Sequence, residues 1–146
     1  MTRIFLDANL LIDITDNTRP LHKESAALFD HLAQNERTFL LYTSCDLITT
    51  VYYIVRRSLS KNRALEQIKT LNRLIEVIEF GNEEIEEAIY LMEKNPAFAD
   101  LEDTIQYVMA RRKRCDYIIT NDAQFFSHDV PMLGSAEALE IFRSRI

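Results

Sequence analysis

Residues 3–14 read RIFLDANLLIDI, and residues 116–126 read DYIITNDAQFF. Both are built alike: a short apolar run, rich in β-formers, leads into a carboxylate. Ile4, Phe5 and Leu6 run straight into Asp7; Tyr117, Ile118 and Ile119 lead through Thr120 and Asn121 to Asp122. Burying a carboxylate without a partner is costly, so chains seldom leave one there by accident. The two acids are either ordinary helix caps or two halves of one site.

Working outward from these runs, strand patterns alternate with helical ones. Strands are expected at residues 3–6, 38–44, 75–80 and 117–120, with a short extended piece at 130–133. Helices are expected over 10–14, 22–34, 46–59, 60–74, 82–95, 100–114 and 135–145, with a turn-rich loop at 15–20. Ala26, Leu28, Phe29 and Leu32 form the apolar stripe of the second helix, Ser60 is a natural N-cap, and Pro96 stops the fifth helix. Strands alternating with helices imply βαβ units and a parallel sheet covered on both faces. The fold class is α/β: one domain over residues 1–146, with a central parallel sheet of four to five strands.

Composition bounds the function. A chain of 146 residues with 47% hydrophobic and 27% charged residues is globular. No apolar run approaches the roughly 18 residues of a membrane span, and Asp7 interrupts the only N-terminal run that could serve as a signal peptide. A cytoplasmic protein is expected. Cys45 and Cys115 are isolated, which favours free thiols, and His22, His31 and His128 are too scattered for a zinc site. Gly81 and Gly134 are the only glycines, too few for a phosphate-binding glycine loop. The net charge of −6 opposes broad attraction to nucleic acid, so any phosphate chemistry needs a local cation.

In an open parallel sheet, ligands sit beyond the carboxyl ends of the strands. Asp7 and Asp122 both emerge at that edge, where helix starts bring Asp46, Asp100 and Asp103. Asp100 and Asp103 share a helical face, whereas Glu102 lies about 100° round and is expected to point elsewhere. Asp116 falls at the opposite edge, and Asp13 and Asp16 are expected in solvent. Each acid has an ordinary use as a cap or in a first turn, and Asp100 with Asp103 imitates a capping box. Together they would repel strongly unless a cation neutralised them. An all-oxygen set suits Mg²⁺ or Mn²⁺, and such an ion promotes phosphodiester hydrolysis.

At these residues the sequence resembles the PIN-domain family, the fold of the VapC-type toxin ribonucleases. IFLDANLLID resembles the first motif, placing a metal-binding acid at Asp7 and a polar neighbour at Asn9. DLEDTIQYVMA resembles the third, with Asp103 and Asp100, and DYIITNDAQFF the fourth, with Asp122, Thr120 nearby and Phe126 packing beneath. The second motif departs: where the family carries a Glu, this chain has Thr50, and Asp46 lies one helical turn earlier on the same face. The resemblance implies a PIN-like fold and an Mg²⁺- or Mn²⁺-dependent endoribonuclease, the toxin half of a toxin–antitoxin pair. Asp7, Asp103 and Asp122 would hold the metal, with Asp100 and Asp46 in support. RNA is the implied substrate, and a homodimer and a cognate antitoxin the implied partners.

The basic run Arg111–Arg114 closes the third-motif helix, where cations offset its dipole. Arg56 and Arg57 read similarly, and Tyr52 with Tyr53 suit a core or dimer surface. One alternative is a catalytically decayed PIN domain that binds RNA or protein. A receiver domain would want a lysine after the last strand, and a haloacid-dehalogenase-like phosphatase wants D-x-D where this chain has Asp7-Ala8-Asn9.

Overall fold

Side chains alternate along β1 (Thr2–Leu6): Ile4 and Leu6 face one core and Phe5 the other. The same division recurs on β2 (Phe39–Ser44), where Leu41 and Tyr42 part, and on β4 (Tyr117–Ile119), where Ile119 and Ile118 part. Strands buried on both faces belong to parallel sheets clad in helices. The computed structural model describes residues 1–145 and shows that arrangement.

The first face is covered by α1 (Ala8–Thr15), α2 (His22–Gln34), α3 (Cys45–Val55), α4 (Lys61–Leu74) and α7 (Ser135–Arg143). The second is covered by α5 (Asn82–Lys94) and α6 (Leu101–Arg112). With β3 (Glu76–Ile78) and β5 (Met132–Leu133), the sheet order is β3-β2-β1-β4-β5, and every pairing is parallel. The winding reverses between β1 and β4, which opens a crevice at their carboxyl ends. Asp7 and Asp122 follow those two strands.

Several boundaries differ from the sequence expectation, those of α1, α3 and β3 among them. α1 starts at Ala8 rather than Leu10, because Asp7 caps it directly, accepting the Ala8 N–H at 2.7 Å. α3 stops at Val55 rather than at residue 59, as Arg57 and Ser58 form tight turn bonds to Ile54 and Val55 at 3.2 Å each. β3 spans three residues, pairing only with Tyr42–Ser44 of β2. At the far end of α6, Arg114 closes the helix at φ 53°, a left-handed position that glycine usually takes. Arg112 binds Glu84 and Glu87 of α5, so the basic run ties two helices together. Both cysteines are free, and among the described residues no helix is long and apolar enough to cross a membrane.

Candidate active site

The β1–β4 ladder fixes the first part of the site. Leu6 lies opposite Ile119, and the Asp7 N–H continues the ladder to the Ile119 carbonyl at 3.1 Å. Asp7 is 2% exposed. Its Oδ1 accepts the Ala8 N–H at 2.7 Å and its Oδ2 the Thr120 hydroxyl at 2.7 Å. Thr120 Oγ1 in turn accepts the Asp122 N–H at 3.0 Å, so one hydroxyl joins two acids. Asp122 Oδ1 accepts the Gln124 N–H at 2.9 Å, which holds the turn after β4. Phe125 is the buried aromatic beneath that turn; Phe126, expected there, is half-buried and packs edge-on against Phe98.

The start of α6 supplies the second part. Asp100 is the N-cap, its Oδ2 accepting the Asp103 N–H at 2.9 Å. Asp100 therefore does act as a cap, and the Asp103 side chain is left to face the other acids. Burial, and then the charges of Asp7, Asp100, Asp122 and Glu102, push the Asp103 carboxyl up to about 7. Burial also raises Asp7, helped by Asp122 and opposed by the Thr120 and Ala8 donors. Glu102 corrects an expectation. Burial raises it, followed by the charges of Asp46, Asp100 and Asp7, so although Glu102 is exposed its charge is coupled to the cluster. In a first turn the charged side chains lie near the helix mouth, and their charges act on one another across it.

On the β2 side, Asp46 accepts the Ser44 hydroxyl, and Thr50 donates its hydroxyl to the Asp46 carbonyl at 3.2 Å. Thr50 is half-buried and brings no carboxylate. Asn9 is half-buried on α1, beside a cleft that Asp122 also lines.

Gln106 was not legible as part of the site. It stands one turn beyond Asp103, is 1% exposed, and neither its Nε2 nor its Oε1 has a hydrogen-bond partner. It lies near enough to Asp7 to favour that carboxylate slightly, without completing a well-formed bond. The i, i+3 spacing from Asp103 was the available signal.

Asp13 is another correction: it is 4% exposed rather than solvated, and Arg19 and Asn121 satisfy it at 2.9 and 3.0 Å. An ion pair six residues apart across a turn leaves no periodic trace.

Among the described residues, no three acid, histidine or cysteine side chains stand close enough together to form a finished ligand set. The acids interact through their charges instead, and several are held by hydrogen bonds of their own. Crowded, partly buried carboxylates beside an unpartnered carboxamide fit a small, oxygen-seeking divalent cation such as Mg²⁺ or Mn²⁺.

Residues 3–124 match the family model described as PIN domain. The chain is 44% identical over 138 residues to Ribonuclease VapC1 of Aquifex aeolicus, an alignment that covers 94% of each protein. The fold resembles that of VapC20 from Mycobacterium tuberculosis, a sarcin–ricin loop cleaving toxin, with TM-score 0.66 and 14% identity over 84% of this chain and 92% of that one. It also resembles VapBC2 from Rickettsia felis, whose structure holds a promoter DNA fragment, with TM-score 0.69 and 14% identity over 91% and 98%. The reversal between β1 and β4, the acids gathered there and these matches agree: the chain belongs to the PIN-domain family.

Proposed function

We propose that the chain is a divalent-metal-dependent endoribonuclease, the toxin of a type II toxin–antitoxin pair. The observation that carries the reading is the mutual crowding of Asp7, Asp103 and Asp122 at the point where the sheet reverses. The 44% identical relative is named a ribonuclease, which supports the same reaction. Asp7, Asp103 and Asp122 would hold Mg²⁺ or Mn²⁺, with Asp100 and Asp46 as supporting acids and Asn9, Thr120 and Thr50 as polar neighbours. A bound divalent ion supplies the positive charge that draws a phosphodiester in and polarises it towards attack by water.

The chain's own residues prepare that event. Thr120 and the Ala8 N–H hold both oxygens of Asp7 in fixed directions. Asp103 retains a proton for part of the time near neutrality, which relieves the crowding before a cation enters, and ligation releases that proton. Local cationic charge also reconciles RNA chemistry with a net charge of −6. The reading includes a homodimer, a cognate antitoxin and action in the cytoplasm.

The test is RNA cleavage by purified protein with Mg²⁺ or Mn²⁺ and with EDTA. Cleavage should require the metal, and Asp7→Asn should slow it by at least ~10²-fold. Unchanged cleavage by Asp7→Asn would assign the activity to a contaminant.

A further inference from the structure

An aspartate inside an apolar helix must be neutralised where the helix buries it. Asp13 of α1 is buried, and Arg19 reaches its Oδ1 through Nε at 2.9 Å while Asn121 donates Nδ2 to Oδ2 at 3.0 Å. Asn121 is clamped as well: its Oδ1 accepts the Ser135 N–H at 2.9 Å and the Ser135 hydroxyl at 3.2 Å. The anchor for Arg19 is therefore rigid, and it uses one nitrogen. Among the described residues Nη1 and Nη2 have no partner, and the side chain is 37% exposed.

Arg19 lines a cleft of about 270 Å³ whose walls also include Asn9, Leu21, Asn121 and Asp122. Asp122 is also one of the crowded acids, so the cleft and the acid cluster share a residue. Three of the four cations of the basic run are engaged elsewhere: Arg111 with Asp129, Arg112 with Glu84 and Glu87, and Lys113 with Glu76.

We propose that this cleft is a substrate subsite in which Arg19 binds a phosphate of the RNA strand next to the scissile phosphodiester. The inference rests on the ribonuclease reading above. A guanidinium presents a planar fork that matches two phosphate oxygens, which an ammonium cannot do. Neutralising Asp13 alone would need only one donor. Held by Asp13, the fork is already oriented, so less side-chain freedom is lost when the strand arrives.

The test uses a fluorescein-labelled single-stranded RNA and protein carrying Asp7→Asn, so that the strand is bound without being cut. Adding Arg19→Lys keeps a donor for Asp13 but removes the fork. Binding should weaken about tenfold, and the dependence of log K on log salt should become shallower by about 0.7. A neutral methylphosphonate moved along the RNA should weaken the Arg19 protein at one position and leave the Arg19→Lys protein indifferent there. If Arg19→Lys misfolds, the double change Asp13→Asn with Arg19→Gln leaves no buried charge unpaired and should show the same loss. Unchanged affinity and salt slope overturn the subsite. So does a scan in which no phosphate position distinguishes the two proteins, which would assign the fork to a carboxylate of a protein partner. Should the parent bind no RNA and the wild type cut none, the ribonuclease reading fails first, whatever residue stands at position 19.

Discussion

The Thr120 hydroxyl donates to Oδ2 of Asp7 at 2.7 Å and accepts the Asp122 N–H at 3.0 Å, so one side chain ties together two acids that follow neighbouring strands. Thr120→Val keeps the shape and removes both bonds. A buried oxygen and a backbone N–H are then unpaired, so stability should fall by roughly 1–3 kcal/mol. Mn²⁺ affinity should fall about tenfold or more, as when groups that orient metal ligands are lost. Thr120→Ser should restore both. Denaturant melts and Mn²⁺ titrations of the three proteins check it, and a Val variant equal to wild type removes Thr120 from the site.

Crowding should also show without substrate. The folded Asp103 carboxyl titrates at about 7, and Asp7 and Glu102 are raised as well. In the unfolded chain such groups titrate near 4. Folded protein thus binds more protons between those values, and stability increases as pH falls from about 7 towards 5. Asp16 is shifted the other way, so its contribution is lost only at more acid pH. Thermal melts in EDTA across that window should show the rise. Asp103→Asn should flatten it and raise the melting temperature at pH 7, while millimolar Mg²⁺ should stabilise the wild type. A melting temperature indifferent to pH and to Mg²⁺ would favour a decayed domain.

The sheet was legible because its strands are apolar runs bounded by polar turns, and β1 and β4 each deliver an acid. The helix ends were less so. Asp7 extends α1 backwards by capping Ala8, and no periodic signal ends α3 at Val55, where the turn is made by backbone bonds. For the acid cluster, spacing identified which residues share an edge but not how far charge reaches between them, so the coupling of exposed Glu102 to Asp46, Asp100 and Asp7 was missed. Asp13 was misread for a related reason: its burial depends on Arg19 and Asn121, which come from a loop and from the far side of the sheet switch.

Asp46 tests whether an acid in the first turn of α3 can replace a missing ligand. Its carboxylate accepts the Ser44 hydroxyl, and its charge reaches Glu102. Thr50, where the family carries Glu, lies one turn further on, ~6 Å along the helix. Asp46→Ala should give an intermediate loss of cleavage, smaller than that of Asp7→Asn but larger than that of a surface change. Thr50→Glu should tighten Mn²⁺ binding by restoring a carboxylate. Wild-type metal binding and cleavage in Asp46→Ala would leave Asp46 as a first-turn acid that only holds the Ser44 hydroxyl.

Gln106 sets stability against function most directly. Its carboxamide is buried with both polar atoms unpaired, a state that costs roughly 1–3 kcal/mol for each group. Such a cost is sustained where the group serves an occupied site. Gln106→Leu removes the unpaired atoms at little change in shape, so the metal-free protein should gain roughly 1 kcal/mol or more. The same change strips a polar neighbour from Asp7 and Asp103, so Mn²⁺ affinity should fall about tenfold. Gln106→Glu should do the reverse: another carboxylate in the crowd destabilises the metal-free fold and strengthens Mn²⁺ binding. Melts with EDTA and with Mn²⁺, run on all three proteins, separate the two effects. A Leu variant that melts higher and binds Mn²⁺ as wild type does would make the orphaned amide a packing defect with no part in the site.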